Sequence, residues 1–181
     1  MPPVKTGPDT KLLTTRPLDS LTLLNLGCGN DIHPTYINLD LRPFPGVDVE
    51  HDITKPLPFA DNSFAEVHAN NVLEHFIDMI PIMNEVFRVL QPGGIFKITV
   101  PWWTGTWARG DPYHLKFFDD TSFNPYSDQY QSYKFLGIDG PWERTSQTYQ
   151  ERDDFDSNPW LKRAGYSCIQ QMTVYLRKPP Q

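Results

Sequence analysis

At 181 residues with ordinary apolar content, the chain is long enough for one domain with a real core. A net charge of −6 with no block of Lys and Arg argues against a nucleic-acid partner, whose phosphates call for a basic face. Cys28 and Cys168 make neither a disulfide framework nor a metal-ligand spacing, and no stretch is apolar enough for a signal peptide or membrane span, so a cytoplasmic protein with no membrane partner is expected.

In chain order, residues 1–20 hold Pro2, Pro3, Gly7, Pro8 and Pro17 and are expected to form a flexible leader, with residues 21–181 as a single domain. Leu21–Leu26 reads as a first buried strand, and the alternating Tyr36–Leu41 as a second. Only the nine residues Gly27 to Thr35 lie between them. A parallel crossover takes about a dozen residues or more, so the helix expected there shrinks to one turn or is missing. Val47–His51 is a short third strand. Lys55-Pro56-Leu57-Pro58-Phe59 is extended by its prolines, and Asp61-Asn62-Ser63 is a turn.

Phe64–Asn70 reads as a fourth strand and Val72–Phe76 as the start of a helical stretch. Pro81 suits the first turn of the next helix, where Ile82, Met83, Val86, Val89 and Leu90 keep a helical period while Glu85 and Arg88 point outward. Gln91-Pro92-Gly93-Gly94 stops it, and Ile95–Val100 is a fifth strand. Strands alternating with helical or connecting segments indicate an α/β sheet with parallel pairing. Of the 24 aromatics, twelve fall between Trp102 and Trp142, so residues 101–142 form an aromatic-rich insertion after the fifth strand. Beyond it, Arg144–Gln150 is a candidate strand, Asn158–Ala164 a short helix capped by Gly165, and Tyr166–Arg177 one or two final strands.

The chemistry concentrates where the first strand runs into Gly27-Cys28-Gly29-Asn30. Glycine tolerates the positive φ of such a turn and lets a ligand approach the backbone. In a parallel α/β sheet the crevice at the strand ends is the ligand site. A dinucleotide fingerprint needs a third glycine where this chain has Ile32, and no Walker lysine follows the glycines, so a phosphate-bearing cofactor is poorly supported. A phosphate-free nucleoside remains. Asp40, ending the second strand, can accept hydrogen bonds from both ribose hydroxyls. Asp52, beyond the third, can accept one from an adenine amino group, with Ile53 packed on the ring.

Leu24-Asn25-Leu26-Gly27-Cys28-Gly29-Asn30 followed by Ile37-Asn38-Leu39-Asp40 resembles the first two motifs of class I S-adenosylmethionine-dependent methyltransferases. His51-Asp52-Ile53, Leu57–Phe64, Asn71–His75 and Glu85–Gly94 are similar to the segments that follow in the ubiquinone-biosynthesis-like group. The resemblance spans about Leu21 to Pro101. It implies a Rossmann-like, seven-stranded, mostly parallel sheet whose final strand is antiparallel. It further implies S-adenosylmethionine as cofactor, with Gly27 and Gly29 along its methionine part, Asp40 on the ribose, Asp52 and Ile53 on the adenine, and Asn70 near the reactive end. Cys28, Asn30, Leu41 and His75 complete the expected cofactor-binding set. Three departures stand out: Asn25 where an acidic residue is usual, a first helix nearly absent, and a leader too short for the N-terminal helices that often cover the cofactor. Water exclusion is then left to the aromatic segment or to a second subunit in a homodimer.

The implied reaction is methyl transfer to an oxygen or nitrogen of a small molecule, aromatic or sugar-like. Its rivals are a binding or scaffolding protein without transfer activity and a nicotinamide-dependent oxidoreductase. Asp111-Pro112-Tyr113-His114 resembles an Asp-Pro-x-His stretch of some relatives. His114 is the candidate catalytic base with Asp111 fixing its tautomer; the alternative is a turn at Asp111-Pro112 with His114 packed beside it. Some ubiquinone-pathway relatives hold a divalent ion with Glu-x-x-Glu-His. Here Asn71 replaces the first Glu, so Glu74 and His75 are read as helix-start residues and no metal is expected. His33, His51 and His68 are read as structural or solvated.

Overall fold

The computed structural model describes residues 4–18, 20–127, 133–154, 156–163 and 168–180. The strands are β1 (Thr10–Leu12), β2 (Leu23–Leu26), β3 (Ile37–Asp40), β4 (Val49–His51), β5 (Phe64–Asn70), β6 (Leu90–Pro101), β7 (Glu143–Glu151) and β8 (Ile169–Arg177). The helices are α1 (Ile80–Val89), α2 (Thr106–Gly110), α3 (Tyr133–Leu136) and α4 (Pro159–Arg163), with 3-10 turns at Leu73–His75 and Asn124–Tyr126. Ala164, Gly165 and Tyr166, expected to end the last helix and begin the final strand, lie outside the described residues.

All eight strands join one sheet in the order β1-β4-β3-β2-β5-β6-β8-β7. The five strands β4-β3-β2-β5-β6 are parallel, and β8 runs antiparallel to both β6 and β7. This is the expected mostly parallel architecture with an antiparallel last strand. The parallel strands are apolar because both faces are covered: Leu24, Leu26, Ile37, Leu39, Val67 and Ile98 are fully buried.

The eighth strand comes from the expected leader. β1 pairs antiparallel with β4, Lys11 opposite Glu50, and covers an edge otherwise open to foreign strands. Thr10 Oγ1 meets His51 Nδ1 at 2.8 Å, Arg16 clamps the buried Asp48, and Leu18 enters the core. Part of residues 1–20 is thus an element of the sheet, a correction to the flexible leader: Thr-Lys-Leu is too short and too polar to carry a strand pattern.

The short first crossover holds no helix. Two buried asparagines organise it instead. Asn25 and Asn38 face each other in register on β2 and β3, with Asn25 Nδ2 3.1 Å from Asn38 Oδ1. Asn25 also donates to the Asp31 carbonyl (2.6 Å), and Asn38 Oδ1 accepts from the His33 backbone (3.0 Å). The polar side chains satisfy the loop backbone that a helix would satisfy internally. Asn25 therefore serves the loop.

α1 buries Ile82, Met83, Val86 and Val89, as its period requires. Glu85 and Arg88 do not simply face solvent. Arg88 pairs with Glu85 and Asp61 and donates to the Leu57 and Phe59 carbonyls, while Glu85 accepts from the Leu57 backbone, so the pair straps the proline-rich 55–59 segment to the helix. Lys178 Nζ donates to the Phe87 and Leu90 carbonyls at the C-terminal end of α1, where a cation is favoured. The backbone is already extended at Leu90, so β6 begins there, ahead of the expected Ile95.

His68, on β5 between Asn25 and Lys97, is buried. Burial, with lesser help from the Lys97 and His33 charges, pushes its pKa down to about 4. Below pH about 6.5 the unfolded chain takes up a proton that the native chain refuses, so stability falls as pH drops from there to about 4. At about 1.36 kcal/mol per unit, the loss reaches about 3 kcal/mol. Denaturant melts of wild type and His68→Gln at pH 7 and pH 4.5 test this. The variant is expected to lose distinctly less stability; an equal loss would clear His68 of the effect.

Candidate active site

The C-terminal ends of β2, β3, β4 and β5 open onto one cavity of about 860 Å³. Gly27, Asp40, Leu41, Asp52, Ile53 and His75, all expected at the cofactor, line it. Gly27 has φ +68°, and a Cβ there would stand 2.9 Å from both Val72 methyls. Only glycine fits without moving Val72, itself a wall of the cavity.

Asp40 ties the site together. Its Oδ2 accepts from the Gly29 backbone and its Oδ1 from the Arg42 backbone, both at 2.8 Å. A carboxylate has about four lone-pair sites, so about two stay free for a ligand. Asp52 Oδ1 accepts from the Thr54 backbone (2.9 Å) and hydroxyl (2.7 Å). Burial opposes its charge, but these bonds outweigh burial and hold its pKa below the usual carboxylate range.

The other expected cofactor residues sit differently. Cys28 is buried with Sγ toward the Gly29 carbonyl, and burial together with the Asp40 charge pushes its thiol up to about 12, which keeps it protonated. Gly29 braces Asp40 through its backbone, and Asn30 is exposed. Asn70 turns aside to Asp31 (3.1 Å). Asn71 takes the place expected of Asn70 and lines the cavity, because the chain turns there at φ +53° and breaks the strand alternation. Asn71 Oδ1 is held by Gln171 Nε2 at 2.9 Å. Phe44, Phe76 and Tyr113 complete apolar walls that the sequence reading missed. Each comes from a loop, where apolar periodicity has no meaning.

A smaller cavity of about 350 Å³ adjoins this one at Asn71 and is bounded by Glu74, Thr106, Trp107, Asp111 and His114. Its acidic wall is unusual. Glu74 is 0% exposed, and neither carboxylate oxygen has a hydrogen-bond partner among the described residues. Burial first, then the Asp111 charge, pushes its pKa up to about 7. The Glu74 carbonyl accepts from Leu115 (2.7 Å) and Lys116 (3.0 Å), which docks the Asp-Pro-x-His loop onto the 3-10 turn.

That loop delivers His114. Asp111-Pro112 makes a turn, with Asp111 Oδ1 accepting from the Tyr113 backbone at 2.8 Å. The His114 Nδ1 proton goes to the Ala108 carbonyl in α2 at 3.2 Å, so Ala108, and not Asp111 as expected, sets the tautomer. Nε2 is left facing Asp111 Oδ2 at 3.7 Å and Glu74 Oε1 at 3.9 Å. His75 stands edge-on to His114, ring centroids 5.0 Å apart, with its own Nδ1 on the Tyr113 carbonyl at 3.2 Å. The aromatic segment splits by burial: Phe118, Phe123, Tyr126 and Trp142 build core, while Trp107 and Tyr113 reach the cavities half-exposed or more.

Residues 14–98 match the family model for the methyltransferase domain. The chain is 40% identical over 96 residues to a Mycolicibacterium smegmatis protein named "Probable S-adenosylmethionine-dependent methyltransferase", a match covering 44% of this chain and 37% of that one. It is 33% identical over 73 residues to the demethylmenaquinone methyltransferase of Chlorobaculum parvum, covering 40% and 30%. The chain thus spans about a third of the length of these curated relatives. Among solved structures, an S-adenosylmethionine-dependent methyltransferase from Archaeoglobus fulgidus superposes with a TM-score of 0.60 at 13% identity, over 89% of this chain and 88% of that one. No helix among the described residues is long and apolar enough to cross a membrane. A methyltransferase-domain sequence thus matches residues 14–98, and the fold of the Archaeoglobus fulgidus structure extends over nearly all of the chain.

Proposed function

We propose that the protein transfers a methyl group from S-adenosylmethionine to an oxygen or nitrogen of a small molecule. The observation that carries this is a pair of cavities meeting at Asn71. The larger has two acids and apolar walls suited to a nucleoside; the smaller ends on Glu74, Asp111 and His114. Methyl transfer from a sulfonium is an in-line displacement, and the cofactor carries the activation. The protein's share is to align donor and acceptor and to keep water out. Asp40 and Asp52 would fix the nucleoside, Asn71 would sit at the junction where the methyl group passes, and the Glu74–His114 wall would meet the acceptor's polar atom. At about 350 Å³ the smaller cavity suits a compact acceptor or one end of a larger one, and Trp107 offers an apolar or aromatic surface beside it.

Calorimetric titration with S-adenosylmethionine, its demethylated product and NAD, followed by transfer of labelled methyl groups to panels of small phenols, sugars and amines, tests the reading. Binding of the first two and a labelled product are expected. Binding of NAD alone would favour an oxidoreductase, and S-adenosylmethionine binding with no product from any panel would favour a binding protein.

A further inference from the structure

We propose that Glu74, His75 and His114 form a binding site for a divalent transition-metal ion at the wall between the two cavities. One donor atom from each lies within 4.8 Å of the other two. The sequence presents only Glu74 and His75 as neighbours; the docked Asp-Pro-x-His loop brings the third donor from far downstream. This donor set, two histidines and one carboxylate, is not the Glu-x-x-Glu-His arrangement, whose first position here is Asn71.

Three observations test whether the residues fit an ion. First, the Glu74 side chain is fully buried, and both its oxygens lack a hydrogen-bond partner among the described residues. His114 Nε2 is 3.9 Å from its Oε1, beyond hydrogen-bond range. A buried carboxylate without a partner is costly unless it takes up a proton, and a bound cation removes the cost while keeping the charge. Second, both histidines place Nδ1 on a backbone carbonyl, His75 on Tyr113 and His114 on Ala108, each at 3.2 Å. This leaves Nε2 of each ring with its lone pair, and anchoring the other ring nitrogen in this way is how metal-ligating histidines are oriented. Third, Asp111, with Oδ2 3.7 Å from His114 Nε2, adds negative charge beside the trio.

The separations are somewhat wider than the about 3–3.5 Å between donors sharing an ion at bonds of about 2.1 Å, so binding requires each side chain to move by less than about 1 Å. Two imidazoles and a carboxylate suit zinc, manganese or ferrous iron better than calcium or magnesium, which take oxygen ligands. Three protein ligands leave at least one position open, and Glu74 and His114 border the smaller cavity. A bound ion there supplies positive charge that favours ionisation of an acceptor hydroxyl. His114 is then a ligand and not a free base.

The inference rests on the methyl-transfer reading only for what the ion would serve, so its test avoids turnover. Chelator-treated protein is titrated with Zn²⁺ by calorimetry, and elemental analysis counts metal after dialysis. One Zn²⁺ per chain is expected, with at least tenfold weaker binding in His75→Ala, His114→Ala and Glu74→Gln. S-adenosylmethionine titrations of wild type and Glu74→Gln in parallel show that the fold persists and report on the cofactor reading separately. Wild type without stoichiometric Zn²⁺, or folded variants that bind it as wild type does, would overturn the proposal.

Discussion

Replacing Asp40 by alanine is expected to weaken S-adenosylmethionine binding by about 1–3 kcal/mol, a five- to 150-fold rise in Kd, measured by calorimetry. Two losses combine. The free lone pairs of the carboxylate are the acceptors available to a ribose where β3 ends. The others hold the Gly29 and Arg42 backbones at 2.8 Å, so alanine also releases the turn that follows β2. Asp40→Asn separates the two. It keeps an amide oxygen for one backbone donor but loses the charge and one acceptor, so a smaller loss is expected. Unchanged affinity in both variants would remove Asp40 from the ribose site. Thermal midpoints of the unliganded variants show how much of any change comes from the turn alone.

The second large effect is expected at His114. His114→Ala should lower turnover by about 10²–10⁴-fold, the range for loss of a positioned acid–base group, with S-adenosylmethionine affinity unchanged. The affinity expectation follows from placement: His114 borders the smaller cavity and does not line the larger. Whether Nε2 accepts the acceptor's proton or ligates an ion, the loss falls on the chemical step. Single-turnover rates on wild type and variant, each saturated with cofactor, isolate that step. Normal turnover would make His114 a packing residue that fastens the loop to α2 through Ala108. A variant that no longer melts cooperatively would point to the same fastening role.

Much of the architecture follows from local pattern. Apolar runs ending at Gly27, Asp40 and Asn70 mark parallel strands because those strands are buried on both faces, and the helical period at Ile82–Val89 marks α1. The nine-residue first connection has no room for a helix, and none forms. Asp40 and Asp52 follow consecutive strands, so a parallel sheet carries both to one crevice whatever the rest of the chain does. The misses are equally physical. β1 is Thr-Lys-Leu, whose pairing depends on the exposed edge of β4 and on no pattern of its own. Asn71 and not Asn70 lines the cavity, at a point where a single αL residue breaks the strand alternation. Arg88 has a helix-surface position but is recruited by the carbonyls of the 55–59 strap.

The sequence by itself determined the parallel sheet, the glycine turn, the acids at 40 and 52 and the absence of a phosphate-binding third glycine, because each depends on neighbours a few residues away. Tertiary structure alone decided what Glu74 is. In sequence it stands beside His75 as an ordinary charged residue opening a helical turn. In the fold it is fully buried, its carbonyl holds the loop at Leu115 and Lys116, and its carboxylate faces His114 across 3.9 Å with no hydrogen-bond partner among the described residues. Burial and long-range docking are properties of the packed chain. They bring Glu74, His75 and His114 together where the two cavities meet.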